Sequence, residues 1–111
     1  MAVSRVDLDS YEPDLTVVPA PEIGEGATVK IRAMSAGEVS KVQPLMASDN
    51  IAAGLKVFSF VVVNDDGEQL YSHKDMEAVR RLPWSLVERV AELAIKLSAA
   101  DGDADGGLEK N

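Results

Sequence analysis

The chain has 111 residues, 19 acidic and 11 basic side chains, a formal net charge of -8 and no cysteine. This length allows one domain whose core hides roughly two thirds of the surface exposed by the unfolded chain, and the lack of thiols excludes a disulfide frame or a thiolate site. The acidic balance repels phosphate backbones and no basic cluster exceeds Arg80-Arg81, so no nucleic-acid partner is expected.

The opening MAVSRVDLDSYEPD has neither the basic start nor the apolar stretch of a secretory signal, and the chain is expected to work in a reducing cytoplasm. Residues 1–14 mix Asp7, Asp9, Glu12 and Asp14 with isolated apolar groups and Pro13, the pattern of a flexible, weakly anchored arm. A single compact domain is expected over residues 15–99. Leu15 to Val18 is a short extended run closed by Pro19 and Pro21, prolines that suit an edge strand and not a central one. After a turn marked by Gly24 and Gly26, Thr28 to Met34 alternates, with Val29, Ile31 and Ala33 on one side and Lys30 and Arg32 on the other. The two runs predict an antiparallel hairpin.

Ser35 followed by Glu38 has capping-box spacing and starts a helix with Val39, Val42 and Met46 on one face. Pro44 lacks an amide and crowds the carbonyl of Ser40, which predicts a kink or break near Lys41 to Gln43. Ser48, Asp49 and Asn50 are available to cap a second helix from about Ile51. The run that follows, to Val63, is ambiguous. Val57, Phe58, Phe60, Val61, Val62 and Val63 have strand-forming side chains, yet the length of the segment suits a helix and the run does not alternate. It is too short for a membrane span, which needs about 20 apolar residues. Under either reading it is the centre of the core.

Asn64-Asp65-Asp66-Gly67 is a turn, and Ser72 with Asp75 repeats the capping spacing before a short helix facing inward through Met76, Val79 and Leu82. Pro83 suits the first turn of the last helix, in which Leu86, Val90, Leu93, Ala94 and Leu97 form an apolar stripe and Glu92 and Lys96 an i,i+4 pair. From residue 100 the sequence is acidic and glycine-rich, and residues 100–111 are expected to be a disordered tail that folding does not need. The predicted class is α+β, a small N-terminal β-hairpin followed by three to four helices.

Little in this pattern carries catalytic or metal chemistry. Asp101, Asp103, Asp105 and Gly106 match the opening of a calcium loop, but its twelfth position falls beyond Asn111 and no second helix follows. His73 is the single histidine, read as a solvated first-turn residue; Ser35 and Ser72 are explained by capping, and Gly24-Glu25-Gly26 has no phosphate-cradling continuation. No catalytic residue, cofactor site or metal site is expected. Trp84, flanked by Arg80 and Arg81, is the best candidate for a protein interface, together with Leu86, Val90, Leu93 and Leu97 of the last helix.

Three segments in order, VKIRAMSAGEV (Val29 to Val39), FVVVNDDGEQLYSHKDMEAV (Phe60 to Val79) and LVERVAELAIKLSA (Leu86 to Ala99), with a short end closing in Glu109-Lys110-Asn111, resemble the small tail assembly chaperones of long-tailed, siphovirus-type bacteriophages. Pro44, Gly37 and the Gly/Asp-rich tail depart from that pattern. The resemblance favours a helix for Ile51 to Val63. It implies a non-enzymatic chaperone that oligomerises, coats the tape measure protein and keeps it soluble while tail tube subunits polymerise around it. It also implies a longer frameshifted form as a partner, contact with the tail tube protein, and residence in the host bacterial cytoplasm but not in the mature virion. The competing implication is a connector or minor tube protein that stays in the particle.

Overall fold

The computed structural model describes residues 2–99. Strand β1 (Thr16–Pro19) and strand β2 (Thr28–Ile31) form the antiparallel hairpin, with Val18 opposite Val29 and Thr16 opposite Ile31. Gly26, at φ 75°, makes the turn that lets the amide of Ala20 donate to the carbonyl of Ala27 at 2.8 Å. Pro19 lies on the edge strand, where its missing amide breaks no ladder. The arm is not wholly irregular: Ser4 and Asp7 close a capping box over helix α1 (Arg5–Asp9), although none of its residues is buried.

Ser35 and Glu38 form the expected box at the start of helix α2 (Ala36–Ser48). Glu38 also accepts two hydrogen bonds of 2.8 Å from the guanidinium of Arg32, tying the end of β2 to the start of α2. Partial burial pushes the Glu38 carboxyl up, but the Arg32 and Ser35 hydrogen bonds outweigh it and hold it below the usual carboxylate range. Of the kink or break expected near Lys41 to Gln43, the break does not occur, since α2 is continuous through Pro44. Ser40 and Pro44 are exposed, so the orphaned Ser40 carbonyl is open to water, while buried Val42 and half-buried Leu45 anchor both sides of the proline.

The ambiguous run is divided between the two alternatives. Helix α3 (Asn50–Val61), capped by the Asp49 carboxylate on the amide of Ala52, occupies most of it, and Val62–Val63 then becomes strand β3. Val62 pairs with Ile31 and Val63 with Lys30, completing an antiparallel sheet of order β1-β2-β3. The lack of periodicity has a packing cause. Helix α3 is enclosed by α2, by α4 (Met76–Arg80) and by α5 (Trp84–Ser98), so it needs apolar side chains around most of its circumference. The Asn64 to Gly67 turn forms as expected, with the Asn64 side-chain oxygen accepting from the amides of Asp66 and Glu68 and Gly67 at φ 82°.

Ser72 and Asp75 cap a 3-10 turn (His73–Asp75) leading into α4, and Pro83 occupies the N-cap of α5. The core joins Val18 and Ile31 of the sheet to Val57, Phe58 and Val61 of α3, Val79 of α4, and Leu86, Val87, Val90 and Ala94 of α5. The β1–β2 loop is stapled to α5: the Arg89 guanidinium donates to both Glu22 carboxylate oxygens at 3.0 and 2.6 Å, and the Ser85 hydroxyl adds a bond of 2.6 Å. The predicted Glu92–Lys96 pair is not among the ion pairs of the described residues, and both residues are exposed.

Candidate functional site

Helix α5 carries two faces. Val87, Val90 and Ala94 turn inward, whereas Trp84, Glu88, Ala91, Glu92 and Ile95 recur at helical spacing along a groove shared with α2 and α3. One part of this groove, about 110 Å³, lies between that face and Met46, Asn50, Ala53 and Gly54. The adjoining part, about 290 Å³, is walled by Val39, Val42, Gln43 and Met46 of α2 and closed by Met34, Ile95, Ser98 and Ala99. Met46 and Ile95 border both parts, so the two adjoin, one reaching toward Trp84 and the other toward Met34. Ser98 fixes its far end by donating to the Ala94 carbonyl at 2.7 Å and accepting from the Met34 amide at 2.8 Å.

The near end depends on a close approach. A Cβ on Gly54 would lie 3.0 Å from Cη2 and 3.3 Å from Cζ3 of Trp84, so only glycine lets the indole rest on α3 in this position. Trp84 nevertheless remains 39% exposed, and Met46 41%. The floor is apolar and the α5 rim carries two carboxylates, Glu88 and Glu92, neither of which is ion-paired among the described residues. The groove offers apolar contact and negative charge. Among the described residues no group of three or more His, Cys, Asp or Glu side chains is placed to hold a metal ion, and no helix is long and apolar enough to cross a membrane.

The structure separates the residues singled out from the sequence. Trp84 lines the groove, but Leu86 and Val90 are in the core, and Leu93 is half-buried against it. Leu97 is exposed and two residues from Ile95, which turns it to the opposite side of α5. Arg80 is held by Glu77 at 2.9 Å and borders a different depression with Lys56, His73 and Phe60; Arg81 is exposed and lines neither. Sequence reasoning placed Val39, Val42 and Met46 on one helix face without assigning it a role, and missed Met34, Gly54 and Ile95. The recurrence of residues 84, 88, 91, 92 and 95 was a usable signal, masked by the stronger apolar stripe beside it. Asp101, Asp103, Asp105 and Gly106 lie outside the described residues, as does the rest of the expected tail.

This arrangement, an antiparallel three-stranded sheet against a helical layer with α3 at its centre, is the fold of a phage tail assembly chaperone. The structure of the bacteriophage HK97 tail assembly chaperone superposes with a TM-score of 0.66 over 89% of this chain and 96% of that one, at 22% sequence identity. No family model matches the sequence. No curated protein matches it significantly.

Proposed function

We propose that this chain is a non-enzymatic tail assembly chaperone, which binds the tape measure protein of its phage and keeps it soluble until tail tube subunits polymerise around it. The observation that carries this reading is the backbone match to the HK97 chaperone over nearly the full length of both chains. The physical task fits the molecule. A long helical protein presents apolar stripes that self-associate, and a small partner of net charge -8 covers such stripes while keeping the complex soluble. A longer frameshifted form, self-association and contact with the tail tube protein belong to the same proposal, as does action in the host cytoplasm before the particle is complete.

Co-expression with the tape measure protein tests it directly. Soluble tape measure protein should rise and co-purify with the chain, and mass spectrometry of purified particles should find no copies of it. Unchanged solubility without co-purification overturns the reading, and stoichiometric retention in particles assigns the chain to the tail structure instead.

A further inference from the structure

We infer that the groove between Trp84 and Met34 receives a single amphipathic helix of the tape measure protein, with lysine or arginine along the edge that meets α5. This inference rests on the function proposed above and adds the place of docking and the chemistry of the segment that docks. Along α5 the groove spans Trp84 to Ala99, about 22 Å at 1.5 Å per residue, room for about four helical turns. Its apolar contacts are the exposed Trp84 and Met46 and the half-buried Ile95, a large flat ring at one end and adaptable side chains beyond it, as suits the i, i+3, i+7 anchors of a helix.

Charge fixes the partner's character and orientation. Glu88 and Glu92 are four residues apart on one face, so they repel each other across a single turn. Nearby, Glu22 is neutralised by Arg89 and Glu38 by Arg32, whereas Glu88 and Glu92 have no cation within ion-pair distance among the described residues. The opposite rim is neutral, with Gln43 and Asn50. A helix with cations on one edge relieves the repulsion in only one of the two directions in which it can lie along the groove, because reversing it carries the cations to the neutral rim. The depression on another face of α3, bordered by Lys56, Arg80 and His73, has no carboxylate in its lining, so the acidic rim is local to this groove.

Trp84 is the single tryptophan of the chain and therefore reports on the groove directly. The probes are two tryptophan-free synthetic helices with the same leucine stripe, one edged with lysine and one with glutamate, titrated into the full-length protein. The lysine peptide should shift Trp84 emission to the blue and bind at least tenfold more tightly at low salt, an advantage that shrinks as salt rises. The double variant E88K/E92K should reverse the preference, and M46E should weaken both peptides at least tenfold with an unchanged circular dichroism spectrum. Equal affinity for the two peptides, or a preference that survives E88K/E92K, overturns the inference. So does a concentration-dependent blue shift without peptide, which would give the groove to a second copy. Co-purification of the tape measure protein that persists in both E88K/E92K and M46E overturns the groove but not the chaperone function; loss of co-purification in the unaltered chain overturns the function, whatever the peptides do.

Discussion

Replacing Gly54 by alanine sets two opposing effects against each other at the contact that seats Trp84. Alanine is favoured over glycine in a helix interior by about 0.8–1 kcal/mol. Against this, the new methyl would stand 3.0 and 3.3 Å from two indole carbons and 4.0 Å from the Ala91 Cβ. The ring must therefore withdraw by about half an ångström to reach ordinary contact at 3.5 Å or more. Overpacking of this kind costs about 1–3 kcal/mol in a rigid core, but Trp84 has an exposed edge and room to pivot outward, which places the cost at the lower end. The two effects nearly cancel, so the stability of G54A in urea should stay within about 1 kcal/mol of the parent, while Trp84 emission moves to the red. Gly37 supplies the control, because a Cβ there meets nothing nearer than the Ser35 hydroxyl at 4.0 Å. G37A should stabilise by up to about 1 kcal/mol and leave the emission unchanged. If G54A stabilises as much as G37A and the emission does not move, the indole does not rest on α3 and the near wall of the groove is misassigned.

Acid should expose the Glu22 staple, whose carboxyl is held down at about 2 from an ordinary 4.5 by the Arg89 and Ser85 hydrogen bonds. Because the folded value lies below the unfolded one, the contribution is complete above about pH 4.5 and fades as the pH falls toward 2. Between those limits E22Q should lose stability less steeply than the parent, and parallel acid titrations would show that the staple is not formed in solution. P44A should stabilise by up to about 3 kcal/mol, since an alanine amide can bond the Ser40 carbonyl without the ring's crowding; a loss of stability on chemical denaturation would mean that the proline is needed. F58A removes a ring that is 2% exposed and 6.0 Å from the Tyr71 ring centroid, and should cost about 3–5 kcal/mol. V6A, on the exposed arm, should change the urea midpoint by less than about 0.5 kcal/mol equivalent; a larger loss would show that the arm is packed.

Local chemistry was legible wherever a residue acts on its near neighbours. Ser35 with Glu38 and Ser72 with Asp75 marked helix starts because the hydroxyl and carboxylate satisfy amides only three residues away. Alternation from Thr28 to Met34 marked β2, although the strand ends at Ile31, Gly67 marked a turn requiring positive φ, and the stripe through Leu86, Val90 and Ala94 marked α5. Those signals determined the α+β class and the order of elements. Tertiary structure decided where the run from Ile51 to Val63 changes conformation. Up to Val61 burial among three helices favours the helix, and at Val62 the open edge of β2 offers backbone partners that a further helical residue would forgo. It also decided the site. Leu86 and Trp84 are two residues apart and equally apolar by type, yet one is in the core and the other lines the groove, because helical rotation turns them to different neighbours. Gly54 has no local signature at all: its importance comes from an indole thirty positions later in the chain, and only the packing of α5 on α3 brings the two together.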